Sequence, residues 1–191
     1  MALRLPTETI TLAHGGNTVR LRSSLQAALR LERLHSFAGC VDGVASGNIT
    51  IMTDIMEAGA AYEVDVELFL FAVVADGGYT AVMKFRPQLE AFLIEAFGID
   101  MDNLDKPSTG TPITMEQGLE ALFEAATGWL GWTPRDAWDA APAEIIVAQR
   151  GYMAKLKAIH GSADPADDPD TYTKDDLAMV EELGLDRKSV V

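Results

Sequence analysis

One stretch near the start of the chain admits a single local fold. Glu8-Thr-Ile-Thr-Leu-Ala alternates polar and apolar residues, Thr18-Val-Arg-Leu-Arg does the same, and Gly15-Gly16 lies between them. Alternation with period 2 marks a half-buried strand. Two adjacent glycines supply the positive φ that a two-residue hairpin turn needs at both central positions. A turn there pairs Leu12 with Val19 and Ile10 with Leu21 on one face, and Thr9 and Thr11 with Arg22 and Arg20 on the other. A slip of one residue would scatter the apolar face, so the register is specified.

Helical spacing follows. Ser23 and Gln26 are spaced as a capping box, and Leu25, Ala28, Leu29, Leu31, Leu34 and Phe37 make a broad apolar stripe that Gly39 should stop. Ile49 to Ala58 reads as a short second helix with Gly59 as its end. Val64 to Val74 is apolar on nearly all sides and ends at Gly77-Gly78; it reads as a buried helix, with a strand as the alternative. Ala81 to Phe97 predicts another helix, Pro87 marking its first turn. Residues 100–112 (DMDNLDKPSTGTP) lack apolar periodicity and hold two prolines, which makes them a linker and domain boundary. Met115 to Leu130 is helical by spacing. Thr133-Pro134 caps a short turn, and Pro142 opens a long helix that Gly161 closes. Residues 162–176 are rich in Asp and Pro and should be disordered, and 174–185 is too short to hold a helix alone.

The expected fold is therefore mainly α with an N-terminal β-hairpin. It divides into an α+β N-terminal domain (1–99), a linker (100–112), a small helical C-terminal module (113–161) and an acidic flexible tail (162–191).

Charge narrows the functions such a chain can have. Asp and Glu number 29 against 15 Lys and Arg, a net −14, and residues 162–186 carry nine acids against Lys174. A binder that neutralises phosphates needs the opposite balance, so no nucleic-acid partner is expected. The same sign disfavours an anionic membrane surface. The longest apolar run, Leu68 to Ala75, is eight residues, well short of a span, and Met1 to Pro6 does not read as a signal peptide. The only cysteine, Cys40, forms no disulfide framework. A soluble protein of a reducing compartment is the expectation.

Motifs for catalysis are missing: no phosphate loop, HExxH, GxSxG or CxxC occurs. Asp100-Met-Asp102-Asn-Leu-Asp105 starts like a calcium loop but fails at Leu104, Asp105 and Thr111. No metal and no cofactor is expected. His35 and His160 sit at predicted helix ends, where the dipole suits them; His14 lies in a turn, and Cys40 reads as a small buried filler. Two features stand above this background. Trp129, Trp132 and Trp138 fall within ten residues, either filling the core of a small helical unit or forming a partner surface. The acidic tail either solubilises the chain or folds onto a basic partner.

The hairpin Thr9–Arg22, the Leu-Arg-Ser-Ser-Leu passage, Leu31-Glu32-Arg33-Leu34 and the ITIMTDIMEAG unit (51–59 within it) resemble the gene-transfer-agent family of phage tail proteins. Residues 128–146 resemble the small tail assembly chaperones of bacterial prophages, through Leu130-Gly131-Trp132-Thr133-Pro134, Trp138 and Ala141-Pro142-Ala143-Glu144-Ile145. Ala141 departs from the pattern, standing where a threonine cap would be expected. In such phages the two modules are often separate or joined by frameshifting.

The resemblance implies a non-enzymatic tail assembly chaperone. Such a protein coats the tail tape measure protein, recruits tail tube protein and is released, staying in the cytoplasm of the bacterial host and out of the mature virion. The N-terminal domain would self-associate or grip the tape measure. The module around Trp132, Trp138, Arg135 and Tyr152 would meet the tube subunit. The competing classes are a virion structural protein, such as a head–tail connector or tail terminator, and a small enzyme whose site follows no motif.

Overall fold

A computed structural model describes residues 9–61, 64–99 and 113–160. Expectations for 1–8, 100–112 and 161–191, the linker and the acidic tail included, lie outside the described residues. The chain is mainly helical behind an N-terminal hairpin, as its periodicities require. Strands β1 (Ile10–His14) and β2 (Asn17–Leu21) pair antiparallel in the expected register, Ile10 with Leu21 and Leu12 with Val19. Gly15 and Gly16 take φ of 55° and 82°, which closes the turn. Leu12 and Val19 are fully buried. The far edge of β2 is covered: Arg22 N donates to Gly59 O (2.7 Å), and Ala61 N donates to Arg20 O (2.9 Å).

Helix α1 (Leu25–Ser46) corrects two expectations. Its cap is Ser24, whose Oγ accepts from Ala27 N at 3.1 Å, while Ser23 is buried and donates toward Glu95. The chain does not stop at Gly39 either. It breaks at Ser36 (φ 60°, ψ 160°) and resumes to Ser46. Glu32 Oε2 accepts from Phe37 N (2.7 Å) across the break, and Ser36 Oγ accepts from Gly39 N (3.2 Å), capping the second half afresh. Gly47, at φ 71°, is the true stop.

Helix α2 (Ile49–Gly59) is capped by Asn48. Helix α3 (Val66–Met83) is capped by Asp65 and is a helix, not a strand. It turns at Gly78 (φ 61°) but continues beyond the expected end. It is also not buried all round. Val66, Phe69, Leu70 and Val73 face the core, whereas Leu68 and Phe71 are 64% and 73% exposed. The reason is geometric: a helix on the rim of a core can bury one stripe only, and here the other stripe is apolar too. This helix is long and apolar enough to cross a membrane by length and composition, contrary to the reading from uninterrupted runs. A third of it is buried in the fold, and Glu67, Asp76 and the break at Gly78 fall within it. Helix α4 (Arg86–Ala96) starts later than expected, with Pro87 in its first turn as the spacing requires.

Helix α5 (Met115–Glu124) opens with a Thr114–Gln117 capping box and runs into a π-helical turn (Ala125–Trp129). Helices α6 (Pro134–Asp139) and α7 (Pro142–His160) follow. Ala141 has no capping side chain, but Glu144 Oε2 accepts from Ala141 N (2.8 Å) and supplies half of a capping box from the other end. Leu119, Ala126, Ala137 and Ile145 join the cluster that contains Leu31, Met52, Ile55 and Phe92, and Leu25 N donates to Ala140 O (2.7 Å). The first compact unit accordingly extends to Arg150, and a second begins at Gly151.

Candidate partner-binding surfaces

Among the three tryptophans the π-helical turn decides which ring is presented. A π turn inserts one extra residue into the helical repeat. Leu119 and Ala126 still reach the core, but Trp129 is carried off their stripe and stands 65% exposed. Leu130 N donates to Ala125 O (3.1 Å) and Trp132 N to Ala126 O (3.0 Å), which closes the helix end beneath it. Trp138 stacks on Phe123, ring centroids 4.2 Å apart at 24°, and both it and Trp132 are half-buried against the core. Thr133 caps α6 by accepting from Asp136 N (3.2 Å). Arg135 is exposed on α6, 3.8 Å from Asp139. Tyr152 belongs to α7 in the second unit. Trp132, Arg135 and Trp138 thus occupy one short stretch, two of them with rings toward the core. Trp129 is the exposed ring of the three, and sequence spacing gave no sign of the π turn that turns it outward.

A second apolar surface lies on α3. Leu68, Phe71 and Ala75 recur at i, i+3 and i+7, with Val74 beside them, and all four are exposed. Their flanks are acidic: Asp65, Glu67 and Asp76 are exposed, and residues 64–83 contain no Lys or Arg. The nearest cation in sequence, Lys84, lies beyond the break at Gly78. His14 Nε2 stands 3.1 Å from Asp76 Oδ2, in a geometry that forms no hydrogen bond.

The titratable groups elsewhere act as clamps. His35 Nε2 meets Asp54 Oδ2 at 2.6 Å, joining the end of the first half of α1 to α2. Arg33 reaches Glu116 (2.6 Å) and Glu120 (2.8 Å), which ties α1 to α5 and holds its guanidinium pKa up. Cys40 is buried near Glu32 and Asp54. Burial first, then those two carboxylates, push its thiol up to about 11, so it stays protonated and weakly nucleophilic at neutral pH. Among the described residues no group of three or more His, Cys, Asp or Glu could hold a metal ion. Comparison with protein-family models, curated proteins and solved structures finds no match to this chain.

Proposed function

We propose that this chain is a non-catalytic assembly chaperone of a bacteriophage or prophage tail. It keeps the tape measure protein soluble in the host cytoplasm, brings tail tube protein to it, and leaves before the virion is complete. The observation that carries the reading is the α3 face, where Leu68 and Phe71 stand in water on a well-packed body. Large apolar side chains grouped on one exposed face mark a protein-binding surface more often than an accident of packing. A helix face of this kind receives another amphipathic helix, the element that a long helical tape measure offers in quantity. Trp129, presented separately by the π turn, is the contact for the tube subunit. The resemblance of the hairpin and of residues 128–146 to tail proteins, and the net −14, agree with this role.

The test is co-expression with the tape measure and tube proteins encoded in the same genome, followed by affinity capture. Deleting 113–191 is a poor variant, because Leu119 and Ile145 belong to the shared core. Trp129→Ala is the better one. Both proteins should co-purify with the chain, and Trp129→Ala should lose the tube protein alone. Failure to capture either, with the chain forming a closed ring and remaining in purified particles, would make it a structural component of the virion instead.

A further inference from the structure

We propose that the exposed face of α3 binds one amphipathic helix of a partner protein, whose apolar stripe is flanked by Lys or Arg. The inference rests on the chaperone reading and specifies what its partner must carry. The apolar part of the site is Leu68, Phe71 and Ala75, spaced to meet a helix laid along α3, with Val74 widening the stripe. The charged part is Glu67, seven residues before Val74 and so on that edge of the stripe, with Asp65 and Asp76, eleven residues apart, on the other edge.

Charge selects among the occupants. A second copy would pair poorly. An antiparallel match about Phe71 and Ala72 brings like edges together and sets Asp76 of each copy near Asp65 of the other, and a parallel match brings opposite edges together and sets Glu67 near Asp65. An anionic lipid surface is repelled by the same three carboxylates. A helix with basic flanks completes both parts of the site at once, and the carboxylates then speed and orient its encounter. Among the described residues His14 contacts this rim, through Asp76.

The experiment titrates the full chain with two synthetic helical peptides of about 20 residues, long enough to hold a helix when bound. They share one Leu/Ala stripe and differ only in carrying Lys or Glu on its flanks. The Lys peptide should bind at least about tenfold more tightly, and its affinity should fall with salt. Phe71→Ser should abolish binding without changing the melting temperature, since the side chain is exposed. Glu67→Gln with Asp76→Asn should bring the two peptides close to parity. Equal affinity for both peptides, or Phe71→Ser binding like the parent, overturns the proposal. So does self-association that Phe71→Ser removes, or binding to phosphatidylserine vesicles with none to either peptide. If the tape measure is solubilised but the Lys peptide shows no preference, the inference fails and the chaperone reading stands. If the tape measure is not captured at all, it is the chaperone reading that fails.

Discussion

Phe92 of α4 lies against Gly59 of α2 where a side chain would otherwise begin. A Cβ on Gly59 would fall 2.6 Å from Cζ of that ring and 2.7 Å from Cε2. Phe92 is fully buried, and Gly59 O also accepts from Arg22 N, so the glycine is fixed from both sides. Gly59→Ala must push α2 from α4 or from the hairpin. Overpacking of this kind costs about 1–3 kcal/mol, which a shift of the urea midpoint at constant slope would measure. A midpoint within error of the parent would show that the contact yields freely.

Trp138 and Trp129 should separate cleanly by stability. Trp138 stacks on Phe123 and packs on the core, so Trp138→Ala should cost about 2–4 kcal/mol. Trp129→Ala removes an exposed ring and should stay within about 0.5 kcal/mol of the parent. Thermal melts of the two variants decide it, and a reversed order would mean the π turn does not present Trp129.

Cys40 should be silent toward thiol reagents in the folded chain. Its raised pKa, about 11 against an ordinary 9.0, follows from burial beside Glu32 and Asp54. Native protein at pH 8 should label far more slowly than urea-unfolded protein, at a rate set by unfolding. The sign of the linkage follows: the protonated thiol favours the fold below pH 9, and that contribution fades as pH rises toward 11. Rapid labelling of native protein at pH 8 would contradict the buried placement.

Arg33 joins α1 to α5 through two exposed carboxylates. Arg33→Ala should lower stability only slightly, and the difference should shrink in about 0.5 M salt, where exposed pairs are screened. A large loss insensitive to salt would mean that the side chain packs rather than pairs.

These contrasts show how much was legible in the sequence. The hairpin register, Pro87 in the first turn of α4 and the Thr133 cap are set by neighbours in the chain, and spacing alone reveals them. The break at Ser36 was hidden because Glu32 and Gly39 rescue it with hydrogen bonds that periodicity does not record. The exposed half of α3 was hidden for another reason. An all-apolar segment reads as buried, and only the packed body shows which stripe finds neighbours. The pairing of His35 with Asp54, on different helices, leaves no spacing signature. At the candidate surface the tryptophan cluster itself was visible. Which ring faces outward depends on a π turn that composition does not announce.

The most direct test of the central claim is solubility of the tape measure protein co-expressed with this chain or with its Leu68→Glu, Phe71→Glu variant. Both positions are exposed, so the variant should fold as the parent does. The account predicts soluble tape measure with the parent and aggregated tape measure with the variant. Equal solubility with both would contradict the assignment of α3 as the gripping surface.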